Sequence, residues 1–247
     1  MSERSSSSTD DERTMRRVVP QRTTGWARRT ARGLQKLHLT PNMISVASVV
    51  IAAIGCAALI AAGSADDAVP RALLLLLAAL CAPLRLLANM LDGMLAVEGG
   101  MSSPVGDLYN ELPDRLSDLL FLAGAGYAAT QVPGGIAIGW IAASLAVLTA
   151  YVRSLGAAQG LSNHFEGPMS KPRRMWVLVL GCLLSIAEPF TTAPLGLPLG
   201  SSLVLALAVI ALGSLATVVV RLKCIARDLE NAALTAGGQH HQPPGAP

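Results

Sequence analysis

Acids and amides crowd one short stretch of an otherwise apolar chain. In NMLDGMLAVEGGMSSPVGDLYNELPDRLSD, residues 89–118, stand Asn89, Asp92, Asp107, Asn110, Glu111, Asp114 and Asp118. Asn89 and Asp92 are three apart and share one face of a helix. Gly93 and Ala96 extend that face with almost no side chain, which lets a ligand approach the backbone closely. Asp107, Glu111, Asp114 and Asp118 follow at spacings of four, three and four, with Asn110 beside them. At 100° per residue they occupy a stripe about 100° wide on a second helix. Gly99, Gly100 and the Ser-Ser-Pro at 102–104 supply the turn between, so the two acid-bearing faces are expected to look at each other. Carboxylates gathered this way repel, and some stay protonated, unless a counter-ion is present. Oxygen ligands suit a hard divalent cation, Mg²⁺ or Mn²⁺, and such ions bridge phosphate oxygens in phosphoryl chemistry. The plain alternative is a solvated loop whose acids cap helices, since Asp107 near a helix N-terminus is favourable on that ground alone. Asp118, the deepest of the set, has Arg115 as a ready local partner.

The elements around this stretch are those of a membrane protein. Of 247 residues 52% are hydrophobic and 14% charged, with a mean hydropathy of +0.49; a soluble domain carries about 25% charged residues. About 20 apolar residues cross a bilayer as a helix, and six stretches qualify, near 42–63, 69–91, 112–131, 135–158, 174–190 and 201–222. The fold class expected is all-α, six transmembrane helices preceded by an interfacial amphipathic helix. Arg13, Arg16, Arg17, Arg22, Arg28, Arg29, Arg32 and Lys36 precede the first span, Lys171, Arg173 and Arg174 lie between the fourth and fifth, and Arg221, Lys223 and Arg227 follow the sixth. The connections on the opposite side, GSADDAV, QVPGG and TTAPLGLPLG, contain neither Lys nor Arg. The positive-inside rule then puts both termini and the 92–111 connection in the cytoplasm. Residues 1–22 read as a disordered tail, and 23–38, with Trp26, Leu34 and Leu37 among basic residues, as an interfacial segment on anionic lipid or as a solvated basic tail. Residues 39–228 form the transmembrane domain, and 229–247 a second disordered tail. Nothing reads as a secretory signal peptide. Cys56, Cys81, Cys182 and Cys224 form no CxxC pair, so neither a disulfide framework nor a zinc site is expected.

NMLDGMLA followed by GDLYNELPD resembles the signature of the CDP-alcohol phosphatidyltransferases, D-x-x-D-G-x-x-A-R, a short gap, then G-x-x-x-D-x-x-x-D. Asn89 takes the place of the first Asp; Asp92, Gly93 and Ala96 match; Val97 stands where Arg is usual. Gly106 matches the second Gly, Asn110 takes the third Asp, and Asp114 matches the fourth. Asn at the first and third Asp positions is similar to the pattern N-x-x-D-G and N-E-x-x-D of one branch of that family. LTPNMIS at 39–45 is similar to the lead-in to the family's first helix, and AYVRSLGAAQG at 150–160 to a basic segment of its fourth. The resemblance spans roughly residues 36–225.

Membership would imply transfer of a substituted phosphate from a CDP-alcohol, usually CDP-diacylglycerol, to an acceptor alcohol, with CMP leaving. It implies Asn89, Asp92, Asn110, Asp114 and Glu111 around Mg²⁺ or Mn²⁺, Asp114 also as general base, and Asp92, Gly93, Ala96, Gly106 and Asp107 at the CDP moiety. Two lost negative charges weaken cation binding unless Glu111, Asp107 or Asp118 compensates. Arg153, an ionisable residue inside the fourth span, is a functional candidate by its position, and with Lys171, Arg173 and Arg174 suits a phosphate or lipid headgroup. Leu155 falls where many lipid synthases of the family have a second basic residue. Arg85 is expected to pair with an intramembrane acid, and Asn163, His164 and Glu166 to form a plain loop. The implied partners are the donor, the acceptor, membrane lipids and a second copy of the chain, with no nucleic acid; the implied location is a bacterial plasma membrane. A catalytically silent scaffold that binds lipid or a partner, and a cation transporter, are the competing readings.

Overall fold

A threonine opens the first helix. The computed structural model describes residues 40–98, 106–191 and 193–239, apart from the side chains of 97, 98, 106–110, 193 and 235–239. The expected N-terminal tail and interfacial segment lie outside the described residues. In α1 (Pro41–Gly63) the Thr40 side chain accepts from the Met43 amide at 3.3 Å, and Pro41 stands in the first turn, where a missing N–H leaves no bond unmade. Ile44, Ser45, Ser48, Ala52, Gly55, Ala58, Leu59 and Ala62 form its buried face, at the three- and four-residue spacing of a helix stripe.

Five more long helices follow: α2 (Ala68–Glu98), α3 (Gly106–Ala128), α4 (Gly135–Ala158), α5 (Lys171–Thr191) and α6 (Ser201–Gln239), with a short 3₁₀ turn, Ala193–Leu195, before the last. Five of the six are long and apolar enough to cross a membrane. The exception is α3, whose first turns carry the acids of the motif. The apolar runs predict a start at 174 for α5 and at 112 for α3, but both helices begin earlier, because charged residues in a first turn do not stop a helix. The last helix likewise runs to Gln239 instead of ending near 228. Residues 223–234, KCIARDLENAAL, contain no Gly or Pro and consist mostly of helix formers.

The helices close a ring. α1 packs on α2 and α3, α3 on α4, α4 on α6, α6 on α5, and α5 back on α2. α2 and α3 lie mainly against α1 and touch each other only lightly, so the two motif-bearing helices flank α1 rather than pairing closely. Small residues set the helix spacing: a Cβ on Gly139 of α4 would stand 2.7 Å from the Gly126 Cα of α3. Close approach of this kind is how helices associate where lipid removes the hydrophobic drive. The core is rich in alanine, with Phe121, Leu59, Leu75, Leu122, Leu203 and Leu207 fully buried. Large apolar side chains such as Val50, Ile54, Leu73, Leu80, Trp176 and Leu205 point outward, as a bundle surrounded by hydrocarbon requires.

At the end away from the motif, Arg71 of α2 donates to the Ser185 carbonyl and hydroxyl, both at 2.9 Å, and approaches Glu188 at 3.4 Å. Glu188 also accepts from the amides of Gly200 and Ser202, both at 2.6 Å, and so holds the start of α6 against α5 and α2. Both charges are buried. Breaking such a pair from one side leaves the other charge uncompensated, at a cost of about 3–5 kcal/mol. Glu188→Ala is therefore expected to lower the melting temperature in detergent by many degrees; an unchanged melting curve would show that the network does not hold the bundle.

Candidate active site

Four helices bring side chains to one end of the ring. Ser45 comes from α1, Arg85, Asn89 and Asp92 from α2, Asp114 from α3, and Lys171 from the first position of α5. Arg85, Asn89 and Asp92 recur at four and three residues and so lie on one face of α2. Asp92 is 3% exposed. Its Oδ2 accepts from the Ser45 hydroxyl at 2.6 Å, while Oδ1 is buried and takes no hydrogen bond among the described residues. Asp114 is held from two sides: Arg85 Nη2 donates to Oδ1, and the Lys171 ammonium pairs with Oδ2. The same ammonium donates to Asn89 Oδ1 at 2.7 Å. Arg85 is completely buried, and its Nε and Nη1 are without partners among the described residues.

These contacts make a balanced set of charges. Asp92 and Asp114 bring two negative charges, Arg85 and Lys171 two positive ones, and Asn89 a neutral oxygen. Among the described residues no three of the His, Cys, Asp and Glu side chains gather as metal ligands do; the side chains of Asp107 and Asn110 lie outside the described residues. Gly93 and Ala96 sit beside Asp92 on α2, and Gly106 opens α3.

The remaining residues singled out by the sequence go elsewhere. Both oxygens of Glu111 are taken by arginines, Arg115 and Arg153. Burial alone would raise its pKa, but hydrogen bonding and charge from Arg115, together with Arg153, outweigh that and hold the carboxyl below the ordinary carboxylate range. Asp118 does not pair with Arg115. It meets Arg174 of α5 at 2.7 Å inside the bundle, where Arg174 also reaches Thr149 Oγ1 and the Met169 carbonyl, both at 3.4 Å. Arg173 is exposed and donates to the Pro168 carbonyl at 2.7 Å.

A second, basic cluster adjoins the first. The Arg153 guanidinium lies 5.4 Å above the Phe165 ring, a favourable cation–π distance. Arg221 of α6 donates to the carbonyls of Thr149 at 2.5 Å and Glu166 at 3.1 Å, close enough to Arg115, Arg153 and Arg174 for their charges to act on it. Residues 159–170, which deliver Lys171, are fastened to α6. His164 sits between Glu166 (3.3 Å) and Asp228 (3.2 Å), and the Met169 amide donates to Thr217 Oγ1 at 2.9 Å. Gly167 has φ of +121° against Thr217, a backbone region that only glycine adopts readily. The predicted plain loop is thus a docked segment. Ser45 and Arg221 are the residues that spacing gave no reason to group with the acids, although Ser45 carried a signal as part of LTPNMIS; Arg115, expected beside Asp118, pairs with Glu111 instead.

No protein-family model matches the chain. It is 26% identical over 202 residues to a phosphatidylinositol phosphate synthase of Mycolicibacterium smegmatis, an alignment that covers 81% of this chain and 83% of the relative. Crystal structures of the phosphatidylinositol phosphate synthase of Mycobacterium tuberculosis share its fold. The complex with manganese and citrate aligns with a TM-score of 0.64 at 22% identity, over 81% of this chain and 88% of that one. The form with CDP-DAG bound gives 0.64 at 22% identity, over 81% and 92%, and the apo form 0.62 at 24%, over 78% and 93%. The chain therefore has the fold of these synthases, built from its own set of charges at the motif end.

Proposed function

We propose that the chain is a divalent-cation-dependent CDP-alcohol phosphatidyltransferase of phospholipid biosynthesis. It moves the substituted phosphate of CDP-diacylglycerol to an acceptor hydroxyl and releases CMP. The observation that carries this reading is the buried Asp92 carboxylate with one oxygen unpartnered among the described residues, set beside Asn89 and Asp114 in the fold of synthases crystallised with manganese and with CDP-DAG. A buried anionic oxygen without a donor is costly, and a hard cation is the partner its chemistry suits. Asn89, Asp92 and Asp114, with Asn110, would hold Mg²⁺ or Mn²⁺. When bound, that ion supplies positive charge at the diphosphate as CMP departs.

The chain's own groups account for the rest. Arg85 fixes the Asp114 carboxylate through Oδ1, leaving Oδ2, now on Lys171, to take the acceptor's proton. Gly93, Ala96, Gly106 and Asp107 line the cytidine side. Arg153, with Arg115 and Arg221 close by and Arg174 behind, gives the acceptor side a positive field that suits a negatively charged headgroup; Arg173, exposed, faces lipid phosphates. α3 completes six spans, both termini and the site face the cytoplasm of a bacterium, and the enzyme acts as a homodimer in the plasma membrane.

The balanced charge set favours one other reading, a catalytically silent relative that serves as a lipid- or partner-binding scaffold. Purified protein incubated with CDP-diacylglycerol, Mn²⁺ and a panel of alcohols separates the two. The transferase releases CMP and yields a new lipid with at least one acceptor. Folded protein that stays silent across the panel is the scaffold.

A further inference from the structure

Lys171 occupies a place that the oxygens around it would otherwise leave to an ion. Its ammonium lies 2.7 Å from the Asn89 amide oxygen on α2 and pairs with the Asp114 carboxylate on α3. These helices touch each other only lightly, and the lysine tip, brought in from α5, joins them alongside the direct Arg85–Asp114 pair. The backbone behind it is fixed by the docked 159–170 segment, through Met169 to Thr217 and Arg221 to Glu166. Arg85 on the far side of Asp114 brings the described acids and bases to neutrality.

An incoming dication thus meets a set of charges already balanced. Two positive charges added beside Arg85 and Lys171 are opposed unless a negative ligand enters too. In the cluster around Lys171, Asp92 Oδ1 is the buried anionic oxygen with no competing donor among the described residues; the other such oxygen, Asp118 Oδ1, belongs to the carboxylate paired with Arg174. The diphosphate of a CDP-alcohol is such a negative ligand, and an ammonium at the end of a flexible stem can turn to it.

We infer that Lys171 is a tethered counter-ion for the oxygen cluster of α2 and α3, so that the site takes a single divalent cation and takes it tightly only together with the donor's diphosphate. The inference rests on the transferase reading and adds the order and number of cations to it.

Mn²⁺ binding to the purified full chain, followed by the electron paramagnetic resonance signal of free Mn²⁺ with and without CDP, tests it separately from turnover. The wild-type protein should bind one Mn²⁺ per chain, weakly alone and at least about tenfold more tightly with CDP. Lys171→Met should bind Mn²⁺ about tenfold more tightly without CDP and lose most of the enhancement by CDP, because a repelling charge has gone. Lys171→Arg, which keeps the charge, should resemble the wild type. If Lys171→Met is not folded, Asn89→Asp makes the measurement from the other side: a carboxylate facing the ammonium should tighten Mn²⁺ alone by a similar factor. Equal Mn²⁺ affinity in wild type and Lys171→Met, or two tightly bound Mn²⁺ per wild-type chain without CDP, would overturn the inference while leaving CMP release intact. Wild-type protein that neither binds Mn²⁺ nor releases CMP would instead remove the transferase reading itself.

Discussion

Asp92→Ala is expected to reduce CMP release by about a thousandfold, the order of loss when a pre-organised charge acting on the reacting group is removed, while the protein stays folded or becomes slightly more stable. The two halves of this result belong together. Asp92 is buried, with one oxygen hydrogen-bonded to Ser45 and the other without a hydrogen-bond partner among the described residues. A carboxylate so placed opposes folding, because its lost hydration is only partly replaced. A side chain that costs stability and is nonetheless kept is a mark of a functional site. Activity assays with Mn²⁺ and thermal scans on the same preparation check both halves. A variant that loses stability and activity in parallel would make Asp92 a structural residue.

The second large effect concerns Asp114 and separates fold from chemistry. Asp114→Ala leaves Arg85 completely buried with no partner for its charge among the described residues, and losing one side of a buried pair costs about 3–5 kcal/mol. The single variant should therefore express poorly or melt early as well as being inactive. Asp114→Leu combined with Arg85→Leu removes both charges and should restore much of the stability, since replacing a buried pair by apolar residues is often neutral or favourable. Restored melting behaviour without restored CMP release assigns the chemistry to the carboxylate. Full activity in the double variant would take Asp114 out of the mechanism.

The parts legible in the sequence are those that depend on local composition. Uninterrupted apolar stretches gave helices at 41–63 and 135–158 almost to the residue, because in lipid the backbone has few other ways to satisfy itself. The helix ends were harder to read wherever charge begins. Lys171, Arg173 and Arg174 look like a flanking basic group, yet they form the first turn of α5, and that turn is what carries the ammonium to Asn89 and Asp114. Nothing local shows that α5 lies against α2, so Lys171 reads only as a phosphate contact. The same holds for Asp118. Arg115, three residues earlier on the same helix, is the visible partner, but Arg174 from across the ring takes the bond. Spacing along α3 places Glu111 with the acids of the site, whereas its neighbours in space are the arginines of α3 and α4. Motif spacing reports which residues share a face; ring order decides which charges that face meets.

Oxygens from α2 and α3 are expected to hold a divalent cation beside a CDP-alcohol. Crystals grown with Mn²⁺ and CDP, measured for anomalous scattering at the manganese edge, address it directly. One strong peak is expected in contact with Asp92 Oδ1 and within reach of Asn89 and Asp114, with the Lys171 ammonium turned to the diphosphate. CDP bound without any such peak, and Asp114 still clasped between Arg85 and Lys171, would contradict it.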